Sequence, residues 1–115
     1  MPGQAYDTLA AFWRIQDSGD YTRLVDLFAD DAVVEDVVHG TFRGRDAIMA
    51  FMTRMVALMG EAQIRFTLDE LAGDDHVAWS RWTMHSPRGM HGGCGLYKVS
   101  HGKLTYYRDY VDPVE

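Results

Sequence analysis

The chain has very little cysteine: Cys94 is the only one in 115 residues. One thiol cannot form an intramolecular disulfide, and a thiolate zinc site needs several. His, Asp and Glu do not recur at metal-ligand spacings either, so we expect neither a metal site nor a cofactor. Stability must come from a packed core, and the content of 47% hydrophobic residues allows one.

Positive charge is also scarce. The chain has 11 Lys and Arg residues against 17 Asp and Glu residues, which gives a net charge of -6. Nucleic-acid binding needs clustered Lys and Arg, so no nucleic-acid partner is expected. No apolar run approaches the ~20 residues of a membrane span. The start, MPGQAYDTLAAFWRIQDSGD, lacks the basic and apolar regions of a signal peptide. We therefore expect no membrane partner and a cytoplasmic location.

Three stretches have the apolar spacing of helices. The first covers residues 5–17 and ends in Ser18-Gly19-Asp20, where Asp20 is a candidate N-cap for the next helix. That second, short helix is predicted from Tyr21 to Phe28. The third runs from Asp46 to about Met59, with one broad apolar face.

Strand patterns fill the rest of the chain. Two short strands are predicted before the third helix, in ADDAVVED and around Thr41 and Phe42. After Gly60, the turn sequences AGDD, SPRG and SHGK separate four strands, which predicts an antiparallel meander. The strands are expected within 62–71, 76–86, 90–99 and 104–112. Glycines in the third of them allow the sheet to bend into a cone closed by the helices.

The segments LVDLFADDAVVED, GTFRGRDAIMAFM and GKLTYYRDYVD resemble the nuclear transport factor 2-like superfamily. Within it, the sequence is most similar to the SnoaL-like branch, with its polyketide cyclases, ketosteroid isomerases and limonene epoxide hydrolases. The resemblance implies a single α+β domain over residues 1–115, with three N-terminal helices packed on a strongly curved, mostly antiparallel, cystatin-like sheet. It also implies a deep apolar pocket and frequent homodimers. It does not fix the reaction, because this fold carries enzymes and binding modules alike.

Comparison with the ketosteroid isomerases places Asp36 where those enzymes keep their proton-shuttling aspartate. Their oxyanion hole needs a tyrosine and a protonated aspartate. The corresponding positions here hold Phe12 and either Gly95 or Cys94. Since losing one oxyanion donor typically costs ~10²–10³ in rate, the resemblance argues against steroid isomerisation by that machinery.

Comparison with the limonene epoxide hydrolases places Asp109 at one carboxylate and Arg81 at the arginine of their Asp-Arg-Asp set. Thr83 stands where the second aspartate should be, and threonine cannot act as a general acid at neutral pH. The set would be complete only if another acid, such as Asp36, replaced it. SnoaL-type cyclases rely on an aspartate of the terminal strand, which fits Asp109 best.

Strand alternation predicts which side chains share the pocket, since residues two apart point the same way. We expect Asp109 and Arg81 to face inward, where Arg81 would lower the pKa of Asp109 more than burial raises it. Asp109 is then the acid-base residue, and Arg81 and Tyr107 orient the substrate oxygen. Asp36 either adds polarity or caps the turn after it. The predicted substrate-binding residues are Phe12, Val34, Trp79, Thr83, His91, Tyr97 and Tyr107.

The opposite face of the sheet is predicted to carry Trp82, Met84, Tyr106 and Tyr110. Exposed aromatic patches mark interfaces, so we expect a homodimer formed through the sheets.

Three functions remain open at this point. The chain is an enzyme acting on a small hydrophobic carbonyl compound or epoxide, a pocket that binds an apolar metabolite without catalysis, or an interaction domain whose cone is filled by its own side chains. A cavity below roughly 300 Å³, the low end for ligand sites, would favour the last.

Overall fold

The structure, a computed structural model, describes residues 3–19 and 21–113. Within them lie two α-helices, one 3₁₀ helix and six strands. In chain order these are α1 (Gln4–Ser18), the 3₁₀ helix (Tyr21–Leu27), β1 (Phe28–Asp36), β2 (Gly40–Arg43), α2 (Arg45–Ala62), β3 (Arg65–Gly73), β4 (Val77–Ser86), β5 (Gly89–Ser100) and β6 (Lys103–Val111). The α+β class and the meander are confirmed.

The first predicted helix is confirmed in α1. It buries Leu9, Phe12 and Trp13, whose spacing places them on one face. It ends at Gly19, which takes the left-handed conformation (φ 81°) and donates its N–H to the Gln16 carbonyl at 3.1 Å. Glycine adopts this conformation without the steric cost of a side chain.

The prediction of three α-helices is wrong for the second one. That segment is a 3₁₀ helix, and it ends at Leu27. Leu24 is buried and Leu27 half-buried. Residues three apart eclipse one another in a 3₁₀ helix, so this short segment can turn both toward the core. The proposed N-cap, Asp20, lies outside the described residues. The third predicted helix is α2, which extends beyond the predicted end at Met59.

The six strands form one sheet in the order β2-β1-β6-β5-β4-β3. β1 runs parallel to β6, and the other pairs are antiparallel. Irregular register interrupts the β1–β6, β3–β4 and β5–β6 pairs, and such bulges bend strands. The parallel pair places Asp36 directly opposite Asp109. This long-range contact brings the two acids of interest together.

The predicted faces of β4 are wrong by one residue. Ala78, Ser80 and Trp82 are buried on the inner face, whereas Trp79 is 49% exposed and Arg81 is exposed on the outer face. A shift of one residue moves every side chain of a strand to the other face. The prediction chose the inward-facing set of β4 residues so that Arg81 would point into the pocket. The observed burial of Trp82 requires the other alternating set to face inward.

Gly93 explains how the Trp82 ring fits inside. The two residues are opposite each other in the β4–β5 pair, and a Cβ atom at Gly93 would lie 2.3 Å from the ring. The ring therefore lies over the bare backbone of β5, with Phe66 at its edge 5.2 Å away between centroids. Only glycine permits this close approach.

The inner face of the sheet packs against both α-helices to form the core. Its largest fully buried side chains are Tyr97, Phe12, Phe28, Leu9, Leu24, Ile48 and Leu104. Among the described residues, no helix combines the length and apolar character required to cross a membrane.

Candidate active site

A cavity of about 510 Å³ lies between the helices and the inner face of the sheet. This volume falls within the range of small-molecule sites. Most of its lining is apolar, and the α2 helix contributes Phe51, Met52, Met55 and Met59. The size of the cavity argues against a cone filled by its own side chains.

The polar side chains at the cavity are few and include two acidic groups. Asp36, Asp109, His39, His91 and Tyr107 line it, together with a glutamine of α1. Among the described residues, neither lysine nor arginine lines the cavity. The two carboxyl groups therefore face an apolar space without a permanent cation beside them.

Asp109 is the most perturbed acid of the site. Tyr107 donates its hydroxyl proton to Oδ2 of Asp109 at 3.0 Å, while the buried Oδ1 has no hydrogen-bond partner among the described residues. Burial raises the pKa of Asp109 to about 7, the Tyr107 hydrogen bond opposes the rise, and the charge of Asp36 adds to it. The predicted dominance of Arg81 over burial is wrong.

Asp36 caps the turn after β1 and also lies at the cavity, while a part for it in catalysis stays a prediction. Its Oδ1 accepts the backbone N–H groups of Val38 at 2.8 Å and His39 at 3.0 Å, which caps the β1–β2 turn. The same oxygen lies 3.2 Å from Nδ1 of His39. Asp36 and His39 also line the cavity. The turn thus fixes one oxygen of a carboxyl group that faces Asp109 across the β1–β6 pair.

Arg81 does not reach the cavity. On the outer face it donates to both carboxyl oxygens of Asp112, from Nη1 at 2.8 Å and Nη2 at 2.5 Å. The predicted meeting of Arg81 and Asp109 is therefore wrong. Trp79 is exposed on the same face, and Thr83 donates to Oδ2 of Asp69 at 2.5 Å. All three predictions depended on the phase of β4.

The other residues named from the sequence lie at or near the cavity. Phe12, Val34, His91 and Tyr107 line it. Tyr97 is fully buried and lies outside the lining. His91 donates from Nε2 to the Asp112 carbonyl at 2.8 Å, because a carbonyl oxygen can only accept. The binding roles of these residues stay predictions.

The sequence-based prediction missed several residues that line the cavity and placed others on the wrong face. Trp82 and Met84 line the cavity instead of the predicted outer patch. Trp13 lines it too, and the helical spacing of Met52, Met55 and Met59 is the signal that could have identified the α2 wall. Among the described residues, no group of three or more His, Cys, Asp and Glu side chains could hold a metal ion.

Residues 9–107 match the model of the SnoaL-like domain, so the chain belongs to the SnoaL-like domain family. This confirms the resemblance found in the sequence. No curated protein matches the chain.

Solved structures share the fold at low sequence identity. A nuclear transport factor 2-like protein of unknown function from Mesorhizobium loti is 23% identical, with a TM-score of 0.83 over 96% of this chain and 92% of that one. A provisionally assigned ketosteroid isomerase from Kribbella flavida is 14% identical, with a TM-score of 0.84 over 97% and 80%. A provisionally assigned polyketide cyclase from Sinorhizobium meliloti is 22% identical, with a TM-score of 0.74 over 90% and 93%.

Proposed function

We propose that the protein is a SnoaL-like enzyme that moves a proton within a small, hydrophobic carbonyl compound, with Asp109 as the acid-base residue. The observation that carries this proposal is the Asp109 carboxyl group. It is buried at an apolar cavity, its Oδ1 lacks a partner among the described residues, and its pKa is raised to about 7. A buried unsatisfied group destabilises a fold, so a chemical role is a reason for it to be there.

A pKa near the working pH suits a group that must both take and return a proton. At neutral pH both forms of Asp109 are populated. The carboxylate would take a proton from the carbon beside the substrate carbonyl, breaking the C–H bond and leaving its electron pair in an enolate. The resulting acid would return that proton to the same or another carbon. Tyr107 holds the carboxyl group rather than the substrate oxygen, because its single proton goes to Oδ2.

The charges of the cavity favour a neutral substrate. Asp36 and Asp109 line it, and no lysine or arginine does so among the described residues. A second carboxylate brought into this apolar space would be repelled and poorly solvated. Epoxide opening by an Asp-Arg-Asp set has no support here, because Arg81 is on the outer face.

The two neighbours with enzyme names, a ketosteroid isomerase and a polyketide cyclase, are consistent with small-molecule chemistry in this fold. The second candidate is a binding protein for an apolar metabolite, which the largely apolar lining would also serve. The two differ only in whether Asp109 exchanges a proton with the bound compound. The cytoplasmic location stays a prediction.

The test is proton exchange into neutral bicyclic ketones such as decalone and tetralone, followed by NMR in deuterated water. We expect the wild-type protein to accelerate exchange beside the carbonyl, and Asp109→Asn to bind the ketone but lose ~10²-fold or more of that rate. The matched control is Arg81→Gln, a change on the outer face that should keep the rate. Ketone binding without accelerated exchange in the wild-type protein would instead favour the binding protein.

We also propose that the outer face of the sheet forms a homodimer, with a corrected set of residues. Tyr106 and Tyr110 lie on this face as predicted, whereas Trp82 and Met84 line the cavity. The exposed Trp79 takes their place. In the register of the sheet, Trp79 pairs with Leu96 and Tyr110 pairs with Cys94. The first row continues to Arg108 on β6 and the second to Arg81 on β4, so the exposed aromatic side chains lie beside charged ones on this face.

A further inference from the structure

Two carboxyl groups are neighbours at one end of the cavity. Asp36 and Asp109 are directly opposite in the parallel pair of β1 and β6, and both line the cavity. Neighbouring strands lie ~4.8 Å apart, and paired residues point to the same side of a sheet. One small, positively charged group bound at this end can therefore be within reach of both carboxylates.

Asp109 has acceptor capacity that its protein neighbours do not use. An ionised carboxylate can accept about four hydrogen bonds. Tyr107 donates to Oδ2 of Asp109 at 3.0 Å, whereas the buried Oδ1 has no partner within residues 3–19 and 21–113. Since an unpaired buried acceptor is unfavourable, a bound molecule that donates a hydrogen bond to Asp109 gains affinity.

The lining contains no permanent positive charge that would oppose a cation. Neither lysine nor arginine lines the cavity in the described part of the chain, although two histidines do. His39 lies beside Asp36, with its Nδ1 atom 3.2 Å from Oδ1, and Nε2 of His91 lies 2.8 Å from the backbone carbonyl of Asp112. The two carboxyl groups that repel an anionic ligand therefore attract a cationic one.

Aromatic rings lie close to both acids. Tyr107 and His39 are the side chains that contact the two carboxyl groups. Phe12 lies next to Tyr107 and Phe51 next to His39, in both cases with ring centroids 5.8 Å apart. The face of an aromatic ring attracts a cation that lies within about 6 Å of its centroid. The methionines of α2 add an apolar wall against which a hydrocarbon skeleton can pack.

We infer that the cavity is a binding site for hydrophobic amines in their protonated form. The ammonium group lies between Asp36 and Asp109, and the hydrocarbon part packs against the aromatic and methionine side chains. An ammonium group has three N–H donors, which is enough for both carboxyl groups. This inference goes beyond the proposed function and does not rest on it, because binding an amine requires no exchange of protons with carbon.

Binding of the amine should strengthen as the pH rises. Burial raises the pKa of Asp109 to about 7, the Tyr107 hydrogen bond opposes the rise, and the charge of Asp36 adds to it. Asp109 therefore becomes negatively charged between pH 5 and pH 8, whereas an alkyl amine stays protonated over this range.

The other titratable groups that face Asp109 do not reverse this direction. A proton taken up by His39 or His91 adds positive charge at the acidic end of the range and weakens amine binding there. Tyr97 and Tyr107 stay protonated throughout, because burial raises the pKa of both. Among the residues that the structure describes, α1, α2, β3 and β4 contribute no titratable side chain to the lining.

The experiment compares two compounds with the same skeleton, aminotetralin and tetralol, by isothermal titration calorimetry. At pH 8 we expect the protonated amine to bind ~10-fold or more tightly than the alcohol, because a hydrogen bond between charged groups is about twice as strong as a neutral one. At pH 5 this preference should fall to ~3-fold or less, since Asp109 has gained its proton.

Asp109→Asn tests the carboxylate itself. At pH 8 it should reduce the preference for the amine to ~3-fold or less and leave the affinity for the alcohol within ~2-fold. Asp36→Asn keeps an oxygen for the turn and should lower the amine affinity by a smaller factor. Asp69→Asn is the matched control, because this exposed acid on β3 lies outside the lining and its loss changes the net charge equally. This control should keep the full preference.

Equal affinities of the amine and the alcohol at pH 8 would overturn the inference, as would a full preference that survives in Asp109→Asn. Neither result affects ketone exchange, so the proposed function would stand. If Asp109→Asn does not fold, the pH dependence of the wild-type preference decides alone. In the opposite case, the amine is preferred as expected but no ketone exchanges in the wild-type protein. The amine site then holds and the enzymatic proposal fails.

Discussion

The Asp109 carboxyl group combines burial with an incomplete set of hydrogen bonds. One oxygen accepts from Tyr107 and the other is unpaired within the described residues. Asparagine has nearly the same shape as aspartate but carries no charge at any pH, so Asp109→Asn is the matched substitution. Comparing the two side chains separates the electrostatic cost of the acid from its packing.

Asp109 should make the protein less stable as the pH rises. The folded-state pKa is raised from 3.8 to about 7, so between these values the folded protein holds a proton that the unfolded chain has lost. Stability therefore falls from about pH 4 to pH 7 and levels off above it, by on the order of 4 kcal/mol in total. Urea unfolding at pH 5 and pH 8 should show this loss in the wild-type protein but not in Asp109→Asn.

Asp112→Asn is the control for this pH dependence. The hydrogen bonds from Arg81 lower the pKa of Asp112, so its linkage acts below pH 4 and is flat between pH 5 and pH 8. The wild-type pH dependence should persist in this variant. If Asp109→Asn also kept it, the group responsible would lie elsewhere in the protein.

Among the secondary-structure elements, β5 depends on its glycines for close packing. Gly93 lies under the Trp82 ring and Gly95 under the Tyr97 hydroxyl. The Gly93 contact crosses to Trp82 on β4, whereas Gly95 and Tyr97 both lie on β5. These contacts place the tryptophan in the cavity wall and the tyrosine behind Asp109.

Gly93→Ala should destabilise the protein by about 1–3 kcal/mol, because the added methyl group collides with the Trp82 ring at 2.3 Å. Gly60→Ala is the matched change in α2 and should stabilise the protein by ~0.5–1 kcal/mol. Alanine in a helix loses less conformational entropy on folding than glycine does. Chemical denaturation followed by tryptophan fluorescence measures both. Equal effects of the two substitutions would contradict the packing described for Trp82.

The positions of the helices and strands were largely predictable from the sequence. Which side chains of a strand face inward was predictable for some strands and not for others. Apolar spacing identified α1 and α2, and turn sequences separated the four strands of the meander. On β5 and β6 the inward positions of Tyr97, Tyr107 and Asp109 agree with the prediction. On β4 both alternating sets contain a tryptophan, so local pattern did not decide the phase, and Arg81 was placed on the wrong side.

For the molecule as a whole, the outer face of the sheet leads to a prediction about assembly. Trp79 is 49% exposed and Tyr110 is 38% exposed on this face. Sedimentation velocity at micromolar concentration should show a dimer, and Trp79→Glu combined with Tyr110→Glu should convert it to a monomer. The control is Val37→Glu, because Val37 is equally exposed, at 50%, in the β1–β2 turn. A monomeric wild-type protein would contradict the proposed interface.

The sequence by itself determined the α+β class, the positions of the main helices and strands, the family, and the two acids worth following. These depend on local spacing, turn residues and short motifs, which neighbouring residues specify. Only the tertiary structure decided that Asp36 and Asp109 meet, that Arg81 faces away, and that the Asp109 pKa is raised. The parallel pairing of β1 with β6 and the phase of β4 join distant parts of the chain, and burial exists only once they have packed together.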